Sequence, residues 1–218
     1  MNRRQLLGTL AAGAAVGVAG CETDDIPAIP PAETETESQP TPTETQTPSA
    51  QTPMTPQPAL DNGSFEDGLT GWTVGRDLPT DPNAESDQPV ASDVSVTTDH
   101  AVDGAHSCAL FLDGRQDDGT LWVQQRTTLD DTDRLAVDYY SEQESFNIIT
   151  KAAAYAGPDP GRALTEADFD TSAAIEDHAG WKTYEYDVSH NGIGLVAVGI
   201  SVVWETELTR YLDNVRLQ

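Results

Sequence analysis

The stretch Leu195-Val196-Ala197-Val198-Gly199-Ile200-Ser201-Val202-Val203-Trp204 carries the strongest structural signal in this chain of 218 residues. Large apolar residues occupy every second position from Val196 to Trp204, and most of them are β-branched. In a β-strand, alternation with period two places one set of side chains on each face. The stretch therefore predicts a β-strand that packs the face of Val196 and Trp204 into a core.

Six further runs show the same alternation or a β-branched composition. They are residues 107–112, 121–126, 135–140, 146–155, 181–188 and 210–217. Turn-forming pairs such as Asp113-Gly114, Gly157-Pro158 and Asn191-Gly192 separate them. The run 164–177 is interpreted as a short helical turn or a loop, because no helical apolar period persists elsewhere. Regular short strands between such turns predict an all-β fold, an antiparallel β-sandwich.

Both ends of residues 61–218 resemble the carbohydrate-binding-module jelly rolls of the galactose-binding-domain-like group. Asn62-Gly63-Ser64-Phe65-Glu66, followed by Gly68-Leu69-Thr70-Gly71-Trp72, is similar to their opening strand. Asp103-Gly104-Ala105-His106-Ser107 is similar to the next element, and Tyr211-Leu212-Asp213-Asn214-Val215-Arg216-Leu217 to the last strand. The resemblance implies one jelly-roll domain, residues 61–218, with Trp72 in its core. Domains of this kind include sugar-binding, adhesive and purely structural members.

The same resemblance implies a structural calcium ion that joins the first strand to the last. The matching carboxylates are Glu66 and Asp213, with backbone carbonyls from the loop around Gly104 and His106. Calcium takes about six to eight oxygen ligands, which two carboxylates and several carbonyls can supply. The alternative is that both residues are exposed acids, or that Asp213 caps a turn.

Trp122 is predicted to form the centre of a ligand-binding face. Strand alternation places it beside Gln124 and Arg126, and Tyr140 of the next strand is predicted to extend the same surface. Aromatic rings stack on sugars, while amides and guanidinium groups bond to hydroxyls. The alternative is that Trp122 is an ordinary core residue, since half of the strand positions in a sandwich face inward. Trp181 opens another strand and is placed at an edge of the sheet.

Motifs for catalysis are weak, so a non-catalytic module is predicted. The four histidines, at positions 100, 106, 178 and 190, have no metal-ligand spacing, and no Gly-x-Ser-x-Gly motif occurs. Acid pairs are too numerous for any one of them to indicate glycoside hydrolysis. Cys108 lies in a strand-like run and is interpreted as a small buried apolar residue.

The chain is strongly acidic, with 11 basic and 37 acidic residues and a formal net charge of −26. Such charge repels nucleic acid and anionic lipid headgroups. The acids are spread along the whole chain, which favours adaptation to high salt, where screening limits repulsion to about 3 Å at 1 M. The composition resembles that of surface proteins of halophilic archaea. An acidic functional patch is the alternative.

Residues 1–21 resemble a twin-arginine export signal joined to a lipobox. Arg3-Arg4 precede a small apolar run that closes on Val18-Ala19-Gly20-Cys21. A transmembrane helix needs about 20 apolar residues, and the run from Leu6 to Gly20 has only 15. The pattern predicts a lipid anchor on Cys21, and loss of Arg3 and Arg4 would take the net charge from −26 to −28. An ordinary buried helix is the alternative.

Residues 22–60 are predicted to be a disordered linker. Nine of these 39 residues are Pro, nine are Thr, and none is Lys or Arg. Proline removes backbone donors and fixes φ, so neither helix nor sheet propagates. The Thr-Pro content resembles O-glycosylated stalks, and a linker without sugars is the alternative.

Together these features predict a lipid-anchored protein on the extracellular face of the cell membrane. Its module is expected to bind carbohydrate, as a glycan or a surface-layer glycoprotein, and no nucleic acid. The alternative is a structural or protein-binding surface lipoprotein with no sugar ligand.

Overall fold

Nine β-strands and one turn of 3-10 helix form the part of the chain that the computed structural model describes, residues 60–113, 119–142, 149–175, 178–203 and 207–218. The 3-10 helix, Glu166–Asp168, follows β6. The strands are β1 (Thr73–Asp77), β2 (Ser92–Thr97), β3 (Ser107–Asp113), β4 (Gly119–Thr128), β5 (Arg134–Glu142), β6 (Ile149–Gly157), β7 (Ala179–Asp187), β8 (Ile193–Val203) and β9 (Glu207–Leu217). Cys21, Trp204, the signal and nearly all of the linker lie outside the described residues.

The strands form two antiparallel sheets, which confirms the predicted β-sandwich. One sheet has the order β1-β4-β8-β6 and the other has the order β2-β3-β9-β5-β7. From β4 onward, each strand lies in the opposite sheet from the strand before it. The outward-facing side chains of two such consecutive strands therefore lie on opposite sides of the molecule. The described residues include no helix with the length and hydropathy of a membrane span.

The core fills the space between the sheets. Leu121 and Val123 of β4 and Val196 of β8 are fully buried there, as the alternation predicts. Burying such a side chain contributes about 1.5–3 kcal/mol. The hydroxyl of Tyr139 donates to the carbonyl of Gly199 across the core at 2.6 Å, so one buried polar group joins the two sheets.

Cys108 is buried in this core as a free thiol, as predicted. Burial raises the pKa of its thiol, with a smaller contribution from Asp213, so the side chain stays protonated. A protonated buried thiol is a poor nucleophile.

Residues 62–72 form successive turns, so the predicted opening strand is wrong. Asn62 and Phe65 have positive φ, 53° and 56°, and the Asn62 amide donates to the carbonyls of Gly68 and Thr70. This curled backbone cannot pair as a strand. Trp72 nevertheless packs in the core, as predicted, 5.5 Å from Phe65 between ring centroids.

The chain begins its first sheet at β1, and the sequence analysis missed both β1 and β2. Both strands are short and lie at sheet edges. Their sequences, Thr-Val-Gly-Arg-Asp and Ser-Asp-Val-Ser-Val-Thr, contain few large apolar residues. Edge strands bury less surface, which weakens the apolar signal.

The segment between β6 and β7 confirms the expected helical turn or loop. We call residues 158–170 the strap. Its short helix is capped by Asp168, which accepts hydrogen bonds from the backbone and hydroxyl of Thr165 at 2.8 and 2.9 Å. Glu166 ties it to the four-stranded sheet, because its N–H donates to Asp77 and its carboxylate accepts from Ser201.

Candidate functional site

Trp122 is buried, so the predicted binding platform at this residue is wrong. Alternation does place it on the outer face of the four-stranded sheet, but only 1% of its surface is exposed. Phe169 of the strap packs against the indole with ring centroids 5.0 Å apart, and Leu164 joins the same cluster. A Cβ at Gly75 would lie 2.2 Å from the indole. This strand position therefore needs glycine, because the indole lies flat on the sheet.

Gln124 and Arg126 lie next to Trp122, and their side chains already have partners in the indole and in the strap. The Gln124 side chain accepts a 2.7 Å hydrogen bond from the indole N–H. Arg126 pairs with Asp159 of the strap at 2.5 Å. Gln124, Arg126 and Arg162 line a cavity of about 190 Å³ at the strap's margin. Arg162 is itself paired with Asp168 through two 2.7 Å bonds. Both guanidinium groups therefore already pair with carboxylates of the strap.

Tyr140 lies on the opposite side of the molecule from Trp122. It belongs to β5 in the five-stranded sheet, whereas Trp122 belongs to β4 in the other sheet. The prediction that both form one surface is therefore wrong, because the chain crosses the sandwich between β4 and β5. The structure brings together Gln124 and Arg126, and it separates Tyr140 from them.

Tyr140 belongs instead to a line of aromatic residues across the outer face of the five-stranded sheet. It is paired with Trp181 of β7 and with Tyr211 of β9. Ring centroids are 5.5 Å apart for Tyr140 and Trp181, and 6.1 Å apart for Tyr140 and Tyr211. All three side chains are half-buried. We call Trp181, Tyr140 and Tyr211 the aromatic row, and β7 is an edge strand, as predicted for Trp181.

His100 covers part of the aromatic row. Its imidazole stacks on Tyr140 with centroids 3.9 Å apart and an interplanar angle of 18°. It also meets Tyr211 nearly edge-on at 4.7 Å. His100 lies in the β2–β3 loop, residues 98–106, which therefore forms a wall of this surface.

A polar network lies on one side of the aromatic row. Asp138, 5% exposed, accepts hydrogen bonds from the Thr183 hydroxyl and from the Asn214 amide, the latter at 2.7 Å. Arg216 approaches the same carboxylate at 3.5 Å. Asn214 has φ 51° at a register shift between β5 and β9, so a β-bulge directs its side chain to Asp138.

A cavity of about 190 Å³ lies on the other side of the aromatic row. Its lining includes Tyr140, Tyr211, Glu142, Thr209 and Arg210. Burial raises the pKa of the Tyr211 hydroxyl, and the carboxylates of Asp99 and Glu142 add to that shift. The surface thus combines apolar rings with hydrogen-bonding groups in an acidic setting.

Glu66 and Asp213, the two predicted calcium ligands, both reach the β2–β3 loop. Asp213 accepts hydrogen bonds from the backbone N–H groups of Val102 and Asp103 at 2.8 and 3.0 Å. Glu66 accepts from the N–H groups of Ala105 and His106, each at 2.7 Å. We call these four hydrogen bonds the carboxylate clasp. It fastens the loop to the turns before β1 and to β9.

As placed, the two carboxylates do not fit a calcium site. Calcium needs oxygen ligands, yet each carboxylate already accepts hydrogen bonds from two backbone N–H groups of the loop. The positive ends of these N–H dipoles lie where a cation would have to bind. No group of three His, Cys, Asp or Glu side chains within the described ranges is placed to hold a metal. The calcium ion stays a prediction, and the hydrogen bonds supply the connection expected of it.

Sequence reasoning missed Tyr211 and His100 as members of the site. The signal was incomplete, because alternation along β9 shows only that Tyr211 shares a face with Asp213. The row forms by lateral pairing of β7, β5 and β9, which are distant in sequence. Nothing in the local pattern places His100 above it.

Comparisons with known proteins identify the fold. No family model and no curated protein matches the chain. Among solved structures, it is similar to the enzymatically active domain of bacteriophage CBA120 tailspike protein 4, with 15% identity, a TM-score of 0.50, and coverage of 74% of this chain. The chain spans 21% of that tailspike chain.

Carbohydrate-binding modules are also among the structural neighbours. TmCBM61, solved with β-1,4-galactotriose, has 19% identity and a TM-score of 0.46, over 74% of this chain and 98% of that one. The family 11 module from Clostridium thermocellum, solved with a β-1,3-1,4-mixed-linked tetrasaccharide, has 16% identity and a TM-score of 0.44, over 73% and 94%. At these identities the likeness is one of fold alone, and the two sheets of the structure themselves define the class as an antiparallel β-sandwich.

Proposed function

We propose that residues 61–218 form a non-catalytic module that binds a glycan across the aromatic row. The observation that carries this proposal is the line of three half-buried rings, Trp181, Tyr140 and Tyr211, on the outer face of a sheet. The outer face of an antiparallel sheet is normally polar. An apolar surface kept there against solvent favours a binding role.

The groups around the row suit a sugar. Aromatic rings offer apolar faces to the C–H groups of a pyranose, and nearby polar groups bond to its hydroxyls. Asp138, Asn214 and Arg216 lie on one side, and Glu142 and Thr209 line the cavity on the other. The surrounding acids favour a neutral glycan over a uronic or sulfated one, since like charges repel.

The environment of one acid, Asp213, supports the proposal of a non-catalytic role. Asp213 has a raised pKa, which burial causes against the opposing effect of its backbone hydrogen bonds. It is fully buried and its oxygens are bonded to the loop and to the Asn214 N–H. A general acid must reach its substrate, and Asp213 cannot.

We further propose that a lipid on Cys21 holds this module at the outer surface of the membrane, on the linker 22–60. The sequence pattern of residues 1–21 supports this proposal. Mass spectrometry of protein from its own cells should find a lipid-modified Cys21 at the mature amino terminus. An intact Met1 on mature protein would contradict it.

A protein ligand is the alternative, and one observation favours it. Trp181 lies on β7, which is an edge strand of the five-stranded sheet among the described strands. Such an edge can accept a strand from another protein, with side chains docking on neighbouring pockets. The experiment below separates the two possibilities.

The test is a glycan-binding panel on the 218-residue chain carrying Cys21→Ser, at high salt. The panel holds β-1,4-galactotriose, a mixed-linked β-1,3-1,4 tetrasaccharide, cellotetraose and a uronic-acid oligomer. We expect binding to a neutral member, a loss of at least about tenfold in Tyr140→Ala and Trp181→Ala, and none in the control Arg126→Ala. No binding to any member, together with capture of a peptide along β7, would contradict the glycan proposal.

A further inference from the structure

We infer that His100 limits the affinity of this site for its ligand. Its imidazole occupies the face of Tyr140 on which a sugar ring would stack, so a ligand has to take the place of that ring. This inference rests on the proposed function, and it adds a competitor that the chain itself supplies.

The imidazole of His100 lies on Tyr140 in the way that a bound ligand would lie. The imidazole lies parallel to Tyr140 within 18° at 3.9 Å, with its edge toward Tyr211. A flat ring over an aromatic face, flanked by a second ring, is also the arrangement in which a pyranose stacks on protein. His100 and a sugar therefore compete for one position.

Within the described part of the chain, the ring contacts of His100 are those with Tyr140 and Tyr211. Among the described residues, no hydrogen bond joins either of its ring nitrogens to another group. The three other histidines, His106, His178 and His190, each have a polar partner for a ring nitrogen. The imidazole of His100 can thus be displaced without breaking a hydrogen bond.

The clasp lets the ring move while the loop base stays in place. Asp213 and Glu66 hold residues 102–106 through four backbone N–H groups. The span 98–101, which carries His100, precedes all four anchors, and within it the Asp99 N–H donates a local hydrogen bond to the Thr97 hydroxyl. A change confined to this span can expose Tyr140 without opening the sandwich.

The expected cost follows from the strength of an aromatic pair. Stacking of this kind favours the covered state over the uncovered state by a factor of about 2 to 12. The apparent affinity of a ligand equals its intrinsic affinity multiplied by the fraction of molecules that are uncovered. This cost is the same for every ligand that needs the uncovered face of Tyr140, so His100 sets the affinity that a ligand must have to bind there.

The test is calorimetric titration of the full chain with the best-bound neutral oligosaccharide of the panel. We expect His100→Ala to bind it about 3- to 10-fold more tightly than the wild type, and the matched control His190→Ala to bind it with unchanged affinity. Reduced or unchanged oligosaccharide affinity in His100→Ala would overturn the inference while leaving the proposed function standing.

A readout that needs no ligand accompanies the titration. Ring current from Tyr140 should shift the imidazole proton resonances of His100 upfield, and Tyr140→Leu or saturating oligosaccharide should remove that shift. Unshifted resonances in the free protein would overturn the inference. If neither the wild type nor His100→Ala binds any glycan, the proposed function fails, and the inference falls with it.

Discussion

Glu66 and Asp213 perform one structural task in two electrostatic settings. Each accepts two backbone N–H groups from the β2–β3 loop. Glu66 is 41% exposed in its side chain, and the hydrogen bonds from Ala105 and then His106 lower its pKa. Asp213 has no exposed surface, and burial raises its pKa despite similar bonds. Desolvation therefore decides the direction for Asp213, and hydrogen bonding decides it for Glu66.

The lowered pKa of Glu66 predicts a pH-dependent contribution to stability. A carboxyl whose pKa is lower in the folded state stabilises the fold above its unfolded pKa, here about 4.5, and loses that effect as the pH falls through its folded pKa. Glu66→Gln should lower the melting temperature at pH 7 and weaken the acid dependence below pH about 4.5. Thermal melts from pH 3 to 7 measure both effects.

The control for Glu66 is Glu85→Gln, which changes an exposed acid. It should leave the melting curve unchanged. Identical pH profiles for Glu66→Gln and the wild type would show that the carboxylate clasp does not hold the loop in solution.

The clasp also predicts how the protein responds to a chelator. Backbone N–H groups face both carboxylates, so we expect EDTA to leave the melting temperature unchanged at fixed ionic strength. Differential scanning calorimetry with EDTA and with excess calcium measures this. A rise on adding calcium, reversed by EDTA and absent in Glu66→Gln, would instead support the calcium site that the family resemblance implies.

The strap is the element that buries part of the outer face of the four-stranded sheet. It covers Trp122 and lays Phe169 and Leu164 on the outer face of β4 and β8. The sequence held a partial signal for this, because β8 is apolar on both faces, with Leu195 and Ala197 on the outer one. A strand that is buried on both faces reads as a continuous apolar run.

Removing the strap's anchor should be costly. Phe169 is 8% exposed and packs against Trp122, so Phe169→Ala should destabilise the fold by about 3 kcal/mol. Urea unfolding followed by circular dichroism measures the free energy, and a red shift in tryptophan emission reports exposure of the indole.

Ile193→Ala is the matched truncation for Phe169, because Ile193 is 70% exposed, and it should change the stability by less than about 0.5 kcal/mol. Glycan binding should survive in Phe169→Ala, since the aromatic row lies on the other sheet. Loss of binding in this variant with the fold intact would place the ligand on the strap side instead.

At the scale of the whole molecule, net charge sets the solution behaviour. The chain carries −26, and the described cations Arg126, Arg162 and Arg216 already pair with acids. The remaining acids repel one another over the Debye length, which falls from about 10 Å at 0.1 M to about 3 Å at 1 M salt.

The melting temperature should therefore rise as KCl increases from about 0.1 to 1 M, with most of the gain at the lower concentrations. Scanning calorimetry across that range measures it. An equal rise produced by sucrose at matched osmolality would indicate preferential exclusion and not charge screening. A flat or falling profile would contradict adaptation to high salt.

The family resemblance implied the burial of Trp72, whereas the sequence by itself determined seven of the nine described strands, their inward faces and the burial of Cys108. These follow from period-two alternation and from the lack of any long helical period, which are local properties. It also identified Glu66 and Asp213 as a pair that meets one loop, through motifs at both ends of the domain. It did not reveal which atoms of that loop would face them.

Only the tertiary structure decided which outer face is available to a ligand. Trp122 and Tyr140 have similar sequence surroundings, yet the strap buries Trp122, and strand pairing aligns Tyr140 with Trp181 and Tyr211. Exposure of an outward side chain depends on segments that pack over it from elsewhere in the chain. Lateral neighbours depend on sheet order, which alternation along a single strand does not encode.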